Sequence, residues 1–253
     1  MIDNAAPETP LDLTPIADCT PCRFRDTLLA RGLCQPGDVC VAVDSGRQID
    51  RFFRANPQYA VEYIADGFWE RRAIVVRYIP QHRLAELVHD PDEAVRRAVA
   101  YRIPLGEGLL AMRTDSDREV RITVADRLPE EHLESMANDA DYLVRAYVAK
   151  RLPEGRLFRL AVDPDRQVRR IVAERIPAVS LGLMAYDAEV EIRRIVASRM
   201  NAEHALLMLE DPDWIVRYEA AQRVPDHALP RVLQDEDPEV RRVAEERLAG
   251  KVA

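Results

Sequence analysis

Apolar side chains in this chain recur in one short phrase, at helical spacing. The clearest copy runs from Asp90 to Pro104, with apolar residues at Val95, Ala98, Val99 and Ile103. Spacings of three, four and eight belong to one face of an α-helix and not to a strand. The Val-Arg pair at Val95-Arg96 returns at Val120-Arg121, Val144-Arg145, Val168-Arg169, Ile192-Arg193, Val216-Arg217 and Val240-Arg241, a first step of 25 residues and then steps of 24. Each copy carries its own punctuation. Asp90, Asp115, Asp139, Asp163, Asp187, Asp211 and Asp235 stand where a helix N-cap is expected, and Pro91, Pro164 and Pro212 follow where a first helical residue would lie. Pro80, Pro104, Pro129, Pro153, Pro177 and Pro225 close the helix, with Asn201 and Ala249 in the two places where proline is missing. The pattern predicts a first helix of about 12 residues per copy, roughly 18 Å long.

A shorter element follows each proline. Its anchors are three apart, as at Leu84 and Leu87, Leu109 and Met112, Leu133 and Met136, Leu157 and Leu160, or Leu181 and Met184. That period suits a 3₁₀ turn and a short α-helix equally well. One such unit offers about six apolar side chains, each contributing roughly 1.5–3 kcal/mol when buried. Ordering it costs about 1–2 kcal/mol for every backbone residue. Burial prevails only if neighbours stack on both flanks, so the copies are expected to form a solenoid. Residues 66–80 read as a degenerate first copy with Arg71 in the valine's place, and residues 235–248 as a charged last one. The division that follows is a lead and cysteine segment over residues 1–56 and a repeat array over residues 57–253.

Composition narrows the class. The chain has 253 residues, 47% hydrophobic and 32% charged, with a net charge of −8. This suits a folded, water-exposed chain and excludes a disordered one. The longest apolar runs are five residues, as at Val39–Val43, far short of a membrane span. The opening Met1-Ile2-Asp3-Asn4 lacks a basic and apolar leader, so a cytoplasmic setting is expected.

All four cysteines precede the repeats, as Cys19, Cys22, Cys34 and Cys40. In a reducing compartment disulfides are not expected. Four gathered thiols suggest tetrathiolate metal binding, and spacing alone admits zinc or an iron–sulfur cluster. Neither ferredoxin pattern matches the order. The plainer alternatives are unrelated free thiols or a Cys-x-x-Cys redox pair, although no βαβ pattern accompanies it. Phe24, Phe52, Phe53 and Trp69 would either shield such a centre or form ordinary core.

Of the 36 basic residues, only Lys150 and Lys251 are lysine. The arginine that follows each core valine, namely Arg96, Arg121, Arg145, Arg169, Arg193, Arg217 and Arg241, is assigned to a structural ladder. Arg96 lies four residues after Asp92 and three after Glu93, which favours local helix pairs that stacking would align. A second row, at Arg102, Arg127, Arg151, Arg175, Arg199, Arg223 and Arg247, is placed to cap carbonyls or meet a neighbour's acid. Nucleic-acid binding by these rows is disfavoured, because aspartates accompany them and the net charge is negative. His82, His89, His132, His204 and His227 are scattered, and no phosphate loop, nucleophile triad or HExxH motif is present. The expectation is a protein that is not an enzyme.

The 24-residue step, the Val-Arg pairs and the closing prolines, across roughly residues 57–248, resemble the leucine-rich repeat variant family. That resemblance implies an all-α, right-handed superhelical solenoid of alternating α- and 3₁₀-helices, which assigns the second element to 3₁₀. It also implies that Cys19, Cys22, Cys34 and Cys40 hold a [4Fe–4S] cluster, with zinc as the alternative. Such a cluster has no open iron site and would transfer electrons, sense oxidation or staple the fold. The leading expectation is a scaffold that binds another protein through the curved repeat surface. Trp214, Tyr218, Tyr147 and Tyr101 interrupt the pattern and are candidate contacts. A nucleic-acid-binding array with a metal-bound cap, or an electron-transfer protein, are the alternatives.

Overall fold

A computed structural model describes residues 14–250. Ten-residue helices recur at Glu93–Arg102, Arg118–Arg127, Tyr142–Arg151, Arg166–Arg175 and Val190–Arg199. Trp69–Val75 and Trp214–Ala221 are shorter, and Pro238–Ala249 is longer. Each full-length helix stops where an aliphatic residue leaves helical geometry. Ile103, Leu152 and Ile176 have ψ of 139°, 138° and 142°, and each precedes a proline that penalises helical geometry.

The N-cap lies two residues later than the sequence suggests. Asp92, Asp141, Asp165, Asp213 and Asp237 accept the capping backbone N–H, whereas Asp90 and its equivalents do not cap. The helix is therefore shorter by about a half-turn, and Pro91, Pro164 and Pro212 lie before it. The first aspartate is engaged elsewhere. Asp90 Oδ1 accepts from the Asp92 backbone N–H at 2.9 Å while both its oxygens face the preceding repeat's arginine.

The second element is 3₁₀ throughout at Gln81–Leu87, Glu154–Leu160 and Ala178–Met184. In other copies it is shared: Glu130–Leu133 and Ala202–Ala205 are one α-turn each, leading into Glu134–Met136 and Leu206–Met208 as 3₁₀. An all-α fold of alternating α- and 3₁₀-helical repeats results. Among the described residues there is no strand, only an isolated bridge between Gln35 and Val39.

The chain divides into two compact units, one ending at Val124 and one beginning at Ala125. In the first, the helices Gly46–Ala55, Trp69–Val75 and Glu93–Arg102 pack in sequence order. In the second, Tyr142–Arg151, Arg166–Arg175, Val190–Arg199, Trp214–Ala221 and Pro238–Ala249 do the same. The core of each repeat keeps the anticipated valines and Ile103, but Ala98, expected on the same face, is only half-buried and Ala100 is buried in its stead. Val95, Val99 and Ala100 are fully buried with Leu84, and Val168, Val172 and Ala173 with Leu157 and Leu181.

Arginines tie successive repeats together. Arg96 Nε reaches Asp115 Oδ2 at 2.8 Å in the next repeat, whereas its local partners Asp92 and Glu93 are left to the helix start. The same forward pair joins Arg72 to Asp90, Arg145 to Asp163, Arg169 to Asp187, Arg193 to Asp211 and Arg217 to Asp235. The second arginine row reaches backward. Arg102 donates to the Ile79 carbonyl at 2.7 Å, Arg151 to Ala125 and Arg247 to Ala221 at 2.8 Å each. Arg121 and Arg241 each donate to the backbone carbonyl of an aspartate at the start of their own repeat, Asp115 and Asp235. No helix among the described residues is long and apolar enough to cross a membrane.

Candidate metal centre

The cysteines lie in a segment built from turns, and each turn serves to aim a thiol. Asp18 Oδ1 accepts from Thr20 N–H at 2.8 Å, and Cys22 N–H donates to the Cys19 carbonyl at 3.2 Å. This loop turns Cys19 and Cys22 towards one side. Leu29–Arg31 forms a single 3₁₀ turn that Gly32 ends at φ 69°, a left-handed conformation where a Cβ would be strained. Leu33 N–H then bonds back to the Leu28 carbonyl at 2.8 Å, and Cys34 follows. The Gln35–Val39 bridge, with Gly37 at φ 80°, returns the chain so that Cys40 comes back beside Cys34.

Helix Gly46–Ala55 is the wall against which this segment is pinned. Gln48, fully buried, donates from Nε2 to the Pro15 carbonyl at 2.8 Å. Asn56, also fully buried, donates from Nδ2 to the Leu33 carbonyl at 2.8 Å and the Phe52 carbonyl at 3.1 Å. Sequence reasoning missed both residues. Gln48 stands 24 residues before Arg72, in the ladder position of a repeat too decayed to recognise.

All four cysteines line one apolar cavity. Cys19, Cys22, Cys34 and Cys40 share it with Phe24, Phe52, Pro36, Val39 and Val41. Phe24 and Phe52 pack tilted at 47°, 5.2 Å between ring centres, and Phe53 meets Phe52 edge-on at 5.4 Å. Trp69 is not part of this wall. Burial pushes the Cys19 and Cys34 thiols upward, and the neighbouring thiols add to it: Cys22 and Cys40 act on both. A cation-bearing centre would offset that cost, because ligating sulfur must be thiolate. The donor set is entirely sulfur, with no carboxylate or imidazole on the cavity wall, which fits an iron–sulfur cluster or another thiophilic metal. Among the described residues no three His, Cys, Asp or Glu side chains converge closely enough for a single ion. The four thiols share one cavity.

The arrangement is an α/3₁₀ repeat protein with a four-thiol segment ahead of the array. Residues 15–62 match the family described as LRV protein FeS4 cluster, and residues 69–92, 118–141 and 142–165 match the leucine rich repeat variant family. A solved structure, described as a leucine-rich repeat variant with a novel repetitive protein structural motif, is 61% identical with a TM-score of 0.82. The likeness covers 92% of this chain and all of that one. An uncharacterized 27.7 kDa protein in the nifB 3′ region of Rhodobacter capsulatus is 38% identical over 96 residues, 38% of this chain and 39% of that relative's length. The chain belongs to the leucine-rich repeat variant family, and its N-terminal segment to the associated FeS4 cluster family.

Proposed function

We propose that Cys19, Cys22, Cys34 and Cys40 together hold a [4Fe–4S] cluster, and that the repeats form a cytoplasmic, non-enzymatic scaffold for another protein. The observation that carries the cluster is the single apolar cavity lined by all four thiols and by no other metal-binding side chain. When bound, such a cluster supplies one-electron exchange or a structural staple, because four thiolates leave no iron site open. The chain's own residues do the rest. Phe24 and Phe52 exclude water from the sulfurs, and Gln48 and Asn56 fix the loops that carry them.

The scaffold reading draws on the arginines. Arg96 and Arg169 of the forward row are held by aspartates of the next repeat, and Arg102 and Arg151 of the backward row by carbonyls of the preceding one, so these guanidiniums are committed within the array. This favours a protein partner over a nucleic acid. Anaerobic purification with iron, sulfide and zinc analysis tests the cluster: about four iron and a brown colour are expected. Stoichiometric zinc without visible absorbance would overturn it. A pull-down with the same loaded chain tests the scaffold, and recovery of no specific protein would count against it.

A further inference from the structure

A patch of exposed apolar side chains lies in the second unit, on or just after the short elements that follow the α-helices. Phe158, Val162, Val179, Leu183, Tyr186 and Leu207 come from three consecutive repeats, and each is between 51% and 84% exposed. The same places are polar elsewhere in the array. Val162 and Tyr186 stand where other repeats have His89, Asn138 and Gln234, and Leu183 and Leu207 where they have Glu86, Ser135 and Arg231. Packing within a repeat does not require these apolar groups, because their polar equivalents sit on the same short elements. Clustered exposure of this kind marks a contact surface. Between Tyr186 and Leu207 the surface dips into a hollow of about 380 Å³ that Met208 and Pro212 also line. Its charged neighbours Asp187, Arg193, Glu210 and Asp211 are each already held in an ion pair, so the hollow suits an incoming aliphatic side chain.

The charges along this side say what covers it. Residues 177–186, at the centre of the patch, carry no charge. The matching stretch of the preceding repeat, residues 153–162, has a net +1 from Glu154, Arg156 and Arg159. That of the following repeat, residues 201–210, has −2 from Glu203 and Glu210. One stretch farther out, residues 129–138 have −3 and residues 225–234 are neutral overall. A second copy facing the patch in the same direction would set each stretch against itself, like charge on like. Laid antiparallel about residues 177–186, it sets +1 against −2 and −3 against the neutral stretch, and no like-charge match is left. Arg156 and Arg159 share Glu134, at 3.3 and 2.9 Å, yet stay half exposed and can meet a further carboxylate.

We propose that this patch is the interface of a homodimer, in which two copies meet antiparallel across a twofold axis at residues 177–186. Leu183 and Tyr186 would meet their counterparts near the axis. Phe158 and Val162 would lie over the Leu207 side of the other copy, and Arg156 and Arg159 would face its Glu203 and Glu210. A self-complementary patch of this kind is what a twofold dimer requires. The proposal rests on neither the cluster nor the scaffold reading.

Sedimentation equilibrium of the full chain, prepared anaerobically, from about 1 to about 200 μM tests it. The mass should rise with concentration from the 28.8 kDa of one chain towards twice that value. Leu183→Glu places a carboxylate at the axis and should weaken association about tenfold or more. Its far-UV circular dichroism should be unchanged, because Leu183 is 60% exposed. Glu203→Arg should weaken association about fivefold by setting arginine opposite Arg156, and adding Arg156→Glu should restore the parent affinity within about twofold. A chain that stays monomeric throughout would overturn the proposal. So would association that Leu183→Glu leaves intact, or a double variant no tighter than Glu203→Arg alone. A different protein held by a monomeric parent and lost with Leu183→Glu would assign the patch to that partner and overturn the dimer.

Discussion

Arg193 reaches forward out of its own repeat and clasps Asp211 of the next, Nε to Oδ2 at 2.7 Å and Nη2 to Oδ1 at 3.1 Å. The same guanidinium donates to the carbonyl of Asp187 at 2.8 Å, the aspartate that starts its own repeat. One side chain thus joins the starts of two consecutive repeats. Both members of the pair are largely withdrawn from water, with 11% and 6% of the side chains exposed. Such a pair adds little net stability, because desolvation offsets attraction, but removing one partner strands the other. Asp211→Ala is expected to cost about 3–5 kcal/mol. Urea unfolding followed by circular dichroism measures this, and a change under about 1 kcal/mol would show that the clasp is dispensable.

The ladder also sets the response to acid. Burial opposes ionisation of Asp90, but the Arg72 guanidinium and the Asp92 N–H outweigh it and hold the carboxyl below its ordinary value. Asp235 is treated alike by burial, Arg217 and the Asp237 N–H, and Asp117 is lowered chiefly by Arg97. A carboxyl whose folded pKa is depressed binds its proton more readily when unfolded. Its contribution is therefore complete above an unfolded value of about 3.9 and is lost as pH falls through the folded value. The urea midpoint should be flat from pH 7 to about pH 5 and should fall steeply below about pH 4. Arg72→Met should blunt the acid limb. An unchanged acid limb in that variant would remove Asp90 from the account.

How much of this was readable from the chain depends on where the deciding contact lies. The apolar face at Val95, Val99 and Ile103 and the stop at Pro104 are local, and the structure carries both. The N-cap was misplaced by two residues because Asp90 and Asp92 are equally good caps in isolation. An arginine 18 residues earlier takes Asp90 and leaves the cap to Asp92. Sequence spacing offers Arg96 only its helix neighbours Asp92 and Glu93, whereas its partner in the fold, Asp115, lies 19 residues on. The short second elements divide between α and 3₁₀ because their three-residue period satisfies both. At the thiol segment the cysteines were plain, whereas Gln48 and Asn56 carry no signature beyond being polar.

The shared cavity makes the four thiols interdependent. Replacing any one with alanine, Cys34→Ala for example, should lower iron in anaerobically prepared protein from about four per chain towards zero. Visible absorbance should vanish while most far-UV helical signal persists, because the repeats from residue 125 onward form their own unit. Retention of full iron in one variant would remove that cysteine from the ligand set.

Asn56 offers the sharpest check on how the thiol loops are held. Its amide nitrogen bridges the Leu33 carbonyl, next to Cys34, and the Phe52 carbonyl, on the helix whose ring walls the cavity. It does so while fully buried, and its loss takes the donor from the Leu33 carbonyl, whereas the Phe52 carbonyl keeps the Asn56 backbone N–H at 2.8 Å. Asn56→Ala is expected to cost about 1–3 kcal/mol and to free the Cys34 loop from the helix. If the clamp aims the thiol, the variant should bind iron but release it to a chelator several times faster than the parent. Asn56→Leu tests the same contact more gently in volume, since it keeps the approximate size and removes the donor. Equal release rates in all three proteins, with stability lost in the alanine variant, would make Asn56 a packing residue with no part in holding the centre.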